Sequence, residues 1–301
     1  MEIPLIDCDA SLQDESALAA QIDSALTDYG FMTLKNIGVS PAIIASAFDT
    51  AAMFFSLKPE KKANFAYGTA SDNFGYQCVG AEHLDPTRPA DLKETFTMRN
   101  LGALSAADPR WPSTEFRDVV AELYQESMHA ARRLQRLLAT ALRVPESYFV
   151  DQHTGENVTL RLLYYPAVDR RSVEKEQRGA GAHTDYGMLT LLFQDDVGGL
   201  QVRDEAGDWH DVVPHPGTVV INSGDLLERW SNGRYRSTCH RVLPRDNSRE
   251  RYSIALFVDP DSATHVEALP SCVSAASPAR YPPITAGAHL QEKIEATHIA
   301  G

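Results

Sequence analysis

Apolar and polar positions along this chain follow two different periods, and the change falls near its middle. "IPLID" at 3–7 reads as a short strand. Leu18, Ile22, Leu26 and Tyr29 then recur at helical spacing, with Ser11 as the expected N-cap. Gly30 stops that helix, and Phe31 to Ile37 reads as a strand. Ser40 caps a second helix with Pro41 at its first position, and Ile44, Phe48 and Phe55 line its apolar side. Residues 57–110 carry Gly, Pro and charge with little period, the texture of a long excursion over a site. Pro112-Ser113 opens the longest helix, to about Leu142, with Phe116, Val120, Leu123, Ala130, Leu134, Leu137 and Ala141 in one stripe.

From Val158 the period shortens. "VTLRLLYY", "LTLLFQ", "GLQVRD", "TVVINS", "HRVL" and "RYSIALFV" are short β-rich runs separated by Gly, Asp, Asn and Pro, with Asn232-Gly233 a strong turn signal. Strands in series predict a sandwich or jelly roll rather than βαβ units. "AGAHLQEKIEAT" reads as a closing helix, and no internal repeat is visible. The expected class is α+β, mainly β at its core. The expected organisation is one compact unit over 1–301. It combines a mainly helical region over 1–150 with a jelly-roll core and C-terminal helix over 151–301.

Composition narrows the partners. The 301 residues are 43% hydrophobic and 23% charged, the balance of a soluble protein with a sizeable core. A net charge of −13 repels phosphate backbones, so nucleic acid is not an expected partner. Arg132-Arg133 and Arg170-Arg171 read as solvated faces. The N-terminus lacks a basic region followed by an apolar run, and no stretch of about eighteen apolar residues occurs. Neither a signal peptide nor a membrane span is therefore expected. Cys8, Cys78, Cys239 and Cys272 are far apart with no CxxC spacing, which suits reduced thiols in the cytoplasm. A monomer or weak homo-oligomer is the expected state.

The chemistry concentrates in the β-rich half. In "GAHTDYGMLTLL", at 181–192, His183 and Asp185 stand two apart at a strand entry, so on an extended backbone they share a face. Two histidines and one carboxylate are the minimum for a facial metal triad. Of the downstream histidines, His210 and His215 lie in a turn-rich stretch, and His289 and His298 in the closing helix. His240, in "RSTCHRVL", lies on a strand and is the best third ligand; Cys239 beside it points to the other face. In "RYSIALFVDP", Arg251 and Ser253 again share a face. A guanidinium grips a carboxylate with two parallel hydrogen bonds and a hydroxyl adds a third, making an anion socket. Tyr165, ending "RLLYYP", offers a phenol to the same anion.

In this order and spacing, His183-x-Asp185, His240 and Arg251-x-Ser253 resemble the isopenicillin N synthase-like family of non-haem iron, 2-oxoglutarate-dependent dioxygenases and related oxidases. The resemblance runs through "IPLIDCD", "YGFMTLKNIGVS", "FFSLKPEKK", "DLKETF", "HTDYGMLTLLFQDDVGGLQV" and "VINSGDLLERWSNGRYRSTCHRV". It implies a distorted double-stranded β-helix with flanking helices. It further implies Fe(II) on His183, Asp185 and His240, and the distal carboxylate of 2-oxoglutarate on Arg251 and Ser253, with Tyr165 near the cosubstrate. O2 would be the oxidant, with succinate and CO2 released as a small-molecule C–H bond undergoes hydroxylation, desaturation or ring closure. One departure is that many plant members have asparagine two residues before that tyrosine, where this chain has Leu163.

Other readings stay open at this point. Family oxidases that do not use 2-oxoglutarate keep the Arg-x-Ser pair, so Arg251 and Ser253 argue for an anion without saying which. An ethylene- and succinate-forming relative belongs to the same superfamily. A zinc hydrolase would leave the anion socket unexplained, and a non-catalytic binding protein would be expected to have a broken triad. For substrate contacts, Tyr76, Glu94, Phe96, Met98 and Tyr186 are candidates. Glu94 could meet a cationic group such as an amine, or be a structural salt-bridge partner; Phe96 and Met98 could equally be core.

Overall fold

In the computed structural model, the described residues are 2–9, 14–69, 71–85, 87–167, 177–243 and 249–297. Alternation along the strands decides what each side of the molecule meets. In β12 (Arg251–Val258), Ile254, Leu256 and Val258 join a core shared with the helices, whereas Ala255 and Phe257 belong to a second apolar cluster on the opposite face. β5 (Thr159–Tyr165) divides in the same way: Leu160 and Leu162 face the helices, and Leu163 and Tyr165 face away. This period of two follows from the pleat.

The remaining strands of the large sheet are β1 (Leu5–Asp7), β2 (Phe31–Lys35), β3 (Phe74–Gln77), β4 (Glu94–Arg99), β7 (Leu189–Gln194) and β10 (Thr218–Ser223). They give an eight-stranded sheet in the order β1-β2-β10-β7-β12-β5-β4-β3. A four-stranded sheet, β6-β11-β8-β9, is built from β6 (Ala180–His183), β8 (Leu200–Arg203), β9 (Trp209–Asp211) and β11 (His240–Val242). Leu200, Val202 and Val242 of the small sheet pack with Phe31, Leu163, Tyr165 and Val220 of the large one, which is the interior of the jelly roll. A separate two-stranded antiparallel ladder pairs β13 (His265–Val266) with β14 (Ile284–Thr285).

The outer face of the large sheet is covered by α1 (Glu15–Asp28), α2 (Pro41–Phe55) and α4 (Thr114–Ala141), after a short α3 (Pro59–Lys62). Helix α4 begins where its cap dictates: the Ser113 hydroxyl accepts the Phe116 N–H at 3.1 Å. An aromatic nest locks this layer, with the Phe96 ring 4.9 Å from Phe54, 5.1 Å from Phe116 and 5.7 Å from Phe74. Helix α5 (Asp225–Trp230) follows β10, and α6 (Ala286–Thr297) closes the chain.

Several expectations are corrected. Asp14, not Ser11, caps α1, accepting the Ala17 N–H at 2.7 Å; Ser11 lies outside the described residues. β2 stops at Lys35 because Asn36 turns to φ 57°. Helix α2 buries Ile43, Ala47, Ala51, Phe54 and Phe55 rather than Ile44 and Phe48, which are half-buried. The 57–110 stretch is only partly irregular, since β3 and β4 extend the main sheet there. Asn232-Gly233, with φ of 54° and 80°, closes helix α5 instead of a hairpin, and the Gly233 N–H donates to the Glu228 carbonyl at 2.8 Å. His210 lies on β9.

Candidate active site

The triad is assembled by strand pairing. β11 runs antiparallel to β6 with His240 directly opposite His183, which puts the two imidazoles on one face, their ring centroids 4.3 Å apart. Asp185 lies past the end of β6, and its carbonyl accepts the Asp225 N–H at the start of α5 at 2.8 Å. The chain thus turns the carboxylate toward both rings.

Each ligand atom is aimed by a hydrogen bond on the far side of its group. His183 Nδ1 is 2.8 Å from the Gly181 carbonyl and His240 Nδ1 is 3.1 Å from the Thr238 carbonyl. With Nδ1–H donating to those oxygens, both Nε2 lone pairs point inward. Asp185 Oδ2 accepts from the Thr190 hydroxyl at 2.5 Å and from Asn222 Nδ2 at 2.7 Å. Its Oδ1 is 3.8 Å from each Nε2. That is too long for a hydrogen bond, yet within the span of one ion held roughly 2.0–2.2 Å from each donor. Burial first, and then the neighbouring His240, hold His183 well below the ordinary imidazole range, so it is neutral. Burial pushes Asp185 up, but His240, His183 and the bonds from Asn222 and Thr190 outweigh it and keep the carboxylate ionised. Two imidazole nitrogens and one carboxylate oxygen on one face form a donor set that fits a divalent iron and leaves the opposite side open.

A second feature lies on β12. Arg251 is only 4% exposed, its Nη1 donates to the Ser253 hydroxyl at 3.1 Å and its Nη2 to Gln194 Oε1 at 3.4 Å. Its Nε is buried with no partner, and no described carboxylate pairs with the guanidinium. A buried cation with no directly paired anion is costly, and Asp195 acts on it only through space, so the site fits a carboxylate ligand. Tyr165, directly opposite Arg251 in register, places its ring under the guanidinium at 4.7 Å. The contact found is therefore with the ring face rather than with the phenol. Leu163 faces the same interior as part of its apolar wall.

Beside His183 and Asp185 opens a cleft with about 1090 Å³ of empty space, open solvent included. Tyr186 lines it. Tyr76, Glu94, Phe96 and Met98 do not, which corrects their selection as substrate contacts. All four lie on the helix-facing side of β3 and β4. Phe96 and Met98 are fully buried, and Glu94 accepts from Lys62 Nζ at 2.5 Å and from the Tyr76 hydroxyl at 2.7 Å. The strand neighbours Gln77, Thr97 and Arg99 face the cleft instead, joined by Arg161 of β5 and Asp259 just past β12. The alternation in "ETFTMR" carried that signal, with apolar Phe96 and Met98 against polar Thr97 and Arg99. Asn222 and Thr190 escaped notice as polar residues inside otherwise apolar strands. Burial, and after it the charge of Asp185, pushes the Asp259 carboxyl up to about 7, while Arg99 pulls it down. A dication on the triad would offset that Asp185 charge.

Comparison with known proteins agrees with this geometry. Residues 156–260 match the 2OG-Fe(II) oxygenase superfamily, and residues 3–119 match the non-haem dioxygenase in morphine synthesis N-terminal family. The 2-oxoglutarate-Fe(II) type oxidoreductase hxnY of Emericella nidulans is 35% identical over 90% of this chain and 82% of its own length. A homoarginine-6-hydroxylase of Glycine max is 36% identical over 83% of this chain and 79% of its own. A full-length Neurospora crassa protein, crystallised in complex with alpha-KG and thymine, superposes with a TM-score of 0.87 at 33% identity, covering 98% of this chain and 96% of that one. The chain therefore belongs to the 2OG-Fe(II) oxygenase superfamily, and it is an oxidoreductase that uses Fe(II), 2-oxoglutarate and O2.

Proposed function

We propose that His183, Asp185 and His240 hold the iron, that Arg251 and Ser253 hold the distal carboxylate of 2-oxoglutarate over the Tyr165 ring, and that the adjacent cleft takes the substrate. The observation that carries this reading is the buried Arg251 guanidinium, whose Nε has no hydrogen-bond partner and which forms no ion pair with a described carboxylate, Asp195 acting on it only at longer range. When bound, iron and cosubstrate supply the oxidation, with succinate and CO2 released as a substrate C–H bond is hydroxylated, desaturated or drawn into a ring. The protein's own work is placement. The Gly181 and Thr238 carbonyls hold the two imidazoles in the Nδ1–H tautomer. Asn222 and Thr190 fix which oxygen Asp185 turns inward. Arg251 neutralises the cosubstrate's charge and orients it against the triad. The cleft walls exclude water and position the C–H bond.

The relatives support a small polar substrate. The full-length Neurospora crassa structures hold thymine or 5-formyluracil, and the Glycine max relative is a homoarginine hydroxylase. Within this reading, residues 1–301 act as one unit, because β1 to β4 of the first half complete the sheet of the second. No described helix is long and apolar enough to cross a membrane. With a charge of −13, a cytoplasmic monomer or weak homo-oligomer that binds neither nucleic acid nor membrane completes the reading.

The test is an anaerobic visible spectrum of the metal-free protein titrated with Fe(II) and then 2-oxoglutarate. A charge-transfer band is expected in the wild type. It should vanish in Asp185→Ala and need at least tenfold more cosubstrate in Arg251→Ala. Tight iron binding without a band, or a band indifferent to Arg251, would overturn the assignment.

A further inference from the structure

The cleft wall holds four charged groups beside the triad, and they are not equivalent. Arg161 is spoken for: its Nη2 donates to Glu82 Oε1, to Gln77 Oε1 and to the Thr95 hydroxyl. Glu82 is bound in turn by Lys93 at 3.0 Å. That leaves Arg99 and Asp259. Arg99 donates to Asn157 Oδ1, and the amide is pinned from behind, its Nδ2 donating to the Pro260 carbonyl at 2.7 Å and to the Ser262 hydroxyl at 3.1 Å. A neutral amide positions the guanidinium without cancelling its charge. Asp259 packs directly on Gly187, where a Cβ would fall 1.4 Å from its Oδ1, and its carboxyl takes one hydrogen bond from the Met188 N–H, with accepting positions to spare. The loop after the Asp185 turn is thus shaped to admit this carboxylate. The two groups face one cleft yet form no ion pair with each other.

Register limits the gap between them. Arg99 pairs with Thr159, which pairs with Phe257, so Arg99 and Asp259 stand two strands apart and two residues out of step. At about 4.8 Å per strand and about 3.3 Å per residue, their backbones are roughly 12 Å apart. Both side chains line the same cleft, and a separation of that order suits one narrow polar edge between them. We propose that Arg99 and Asp259 read one edge of the substrate, a hydrogen-bond acceptor set beside an N–H donor as in a cyclic amide or imide, and so set the specificity of the cleft. Arg99 takes the carbonyl and Asp259 takes the N–H. Phe257 and Tyr186, also in the wall, offer flat surfaces to a ring. An α-amino acid fits less well. Its ammonium has three N–H donors to satisfy, and the other carboxylate in the wall, Glu82, is already held by Arg161 and Lys93.

This inference rests on the iron and 2-oxoglutarate assignment above, and its test separates the two. The holoenzyme is loaded with Mn(II) and 2-oxoglutarate, so that nothing turns over. It is then titrated calorimetrically with thymine, 1,3-dimethylthymine and L-homoarginine. Thymine offers the edge, its dimethyl analogue keeps the carbonyls and lacks N–H, and homoarginine is the zwitterionic rival. Thymine is expected to bind at least tenfold more tightly than either other probe. Asp259→Ala and Asp259→Asn should erase the preference over the dimethyl analogue, while Arg99→Gln should weaken both pyrimidines about tenfold. Melting temperature and the Fe(II)–2-oxoglutarate band should stay at wild-type values in these variants. Equal binding of thymine and its dimethyl analogue, tighter binding of homoarginine, no binding of thymine, or a preference that survives in both Asp259 variants would overturn the proposal while the band persists. Loss of the band in the wild type would instead strike the assignment beneath it.

Discussion

The two faces of the eight-stranded sheet are made of the same strands and do opposite work. On the helix side, Phe74, Phe96, Met98, Leu160, Leu162, Ile254 and Leu256 form a continuous apolar core with α2 and α4. On the other side, the alternate residues of these strands include Thr97, Arg99, Arg161, Tyr165, Arg251 and Ser253. Apolar burial is concentrated on one face and polar groups on the other, separated only by the parity of a residue number. Polar groups can be kept inside the jelly roll because the apolar layer behind them holds their backbones still.

That division can be tested from its strongest consequence downward. Phe96→Ala empties the aromatic nest and should lower unfolding stability by about 3–5 kcal/mol in urea titration, while folded protein keeps its charge-transfer band. A lost band with unchanged stability would contradict the assignment of faces. His153 sits on the helix side against Trp230, and burial holds its imidazole down to about 4. Its folded pKa lies below the unfolded value, so the unfolded chain takes up protons first. Stability should be full above about pH 6.5 and fall as pH drops toward 4, by up to about 3 kcal/mol. His153→Leu should flatten that part of the curve relative to wild type. On the cleft side, Asn222→Ala should weaken iron about 10- to 100-fold by chelator competition, with little change in melting. Smallest of all, Tyr76→Phe removes a hydroxyl bonded to Glu94 on the helix side. It should cost about 1 kcal/mol and leave steady-state turnover untouched, and a changed KM would return Tyr76 to the cleft.

Much of this was legible along the chain because it depends on local spacing. The stripe of α4 and its Ser113 cap come from residues three and four apart. The series of short β-rich runs likewise pointed to a jelly roll rather than βαβ units. What failed did so where distant segments compete. Residues 57–110 lack a sustained period because β3 and β4 are short runs in an otherwise irregular stretch, and pairing of β4 to β5, with β3 added at the sheet edge, makes them strands. Choosing Phe96 and Met98 over Thr97 and Arg99 was an error of face, not of segment.

By itself, then, the amino-acid order determined the chemical inventory and its local geometry: an imidazole and a carboxylate two apart, a second strand histidine, a guanidinium and a hydroxyl two apart, and the helices that back them. The three-dimensional fold alone decided which inventories meet. It set His240 opposite His183, turned Asp185 with bonds from Asn222 and Thr190, and brought Arg99 and Asp259 into the wall of one cleft. The physical reason is that periodicity reports which residues share a face of one element, whereas strand register and the aim of a buried polar group are settled by hydrogen bonds between segments far apart in the chain.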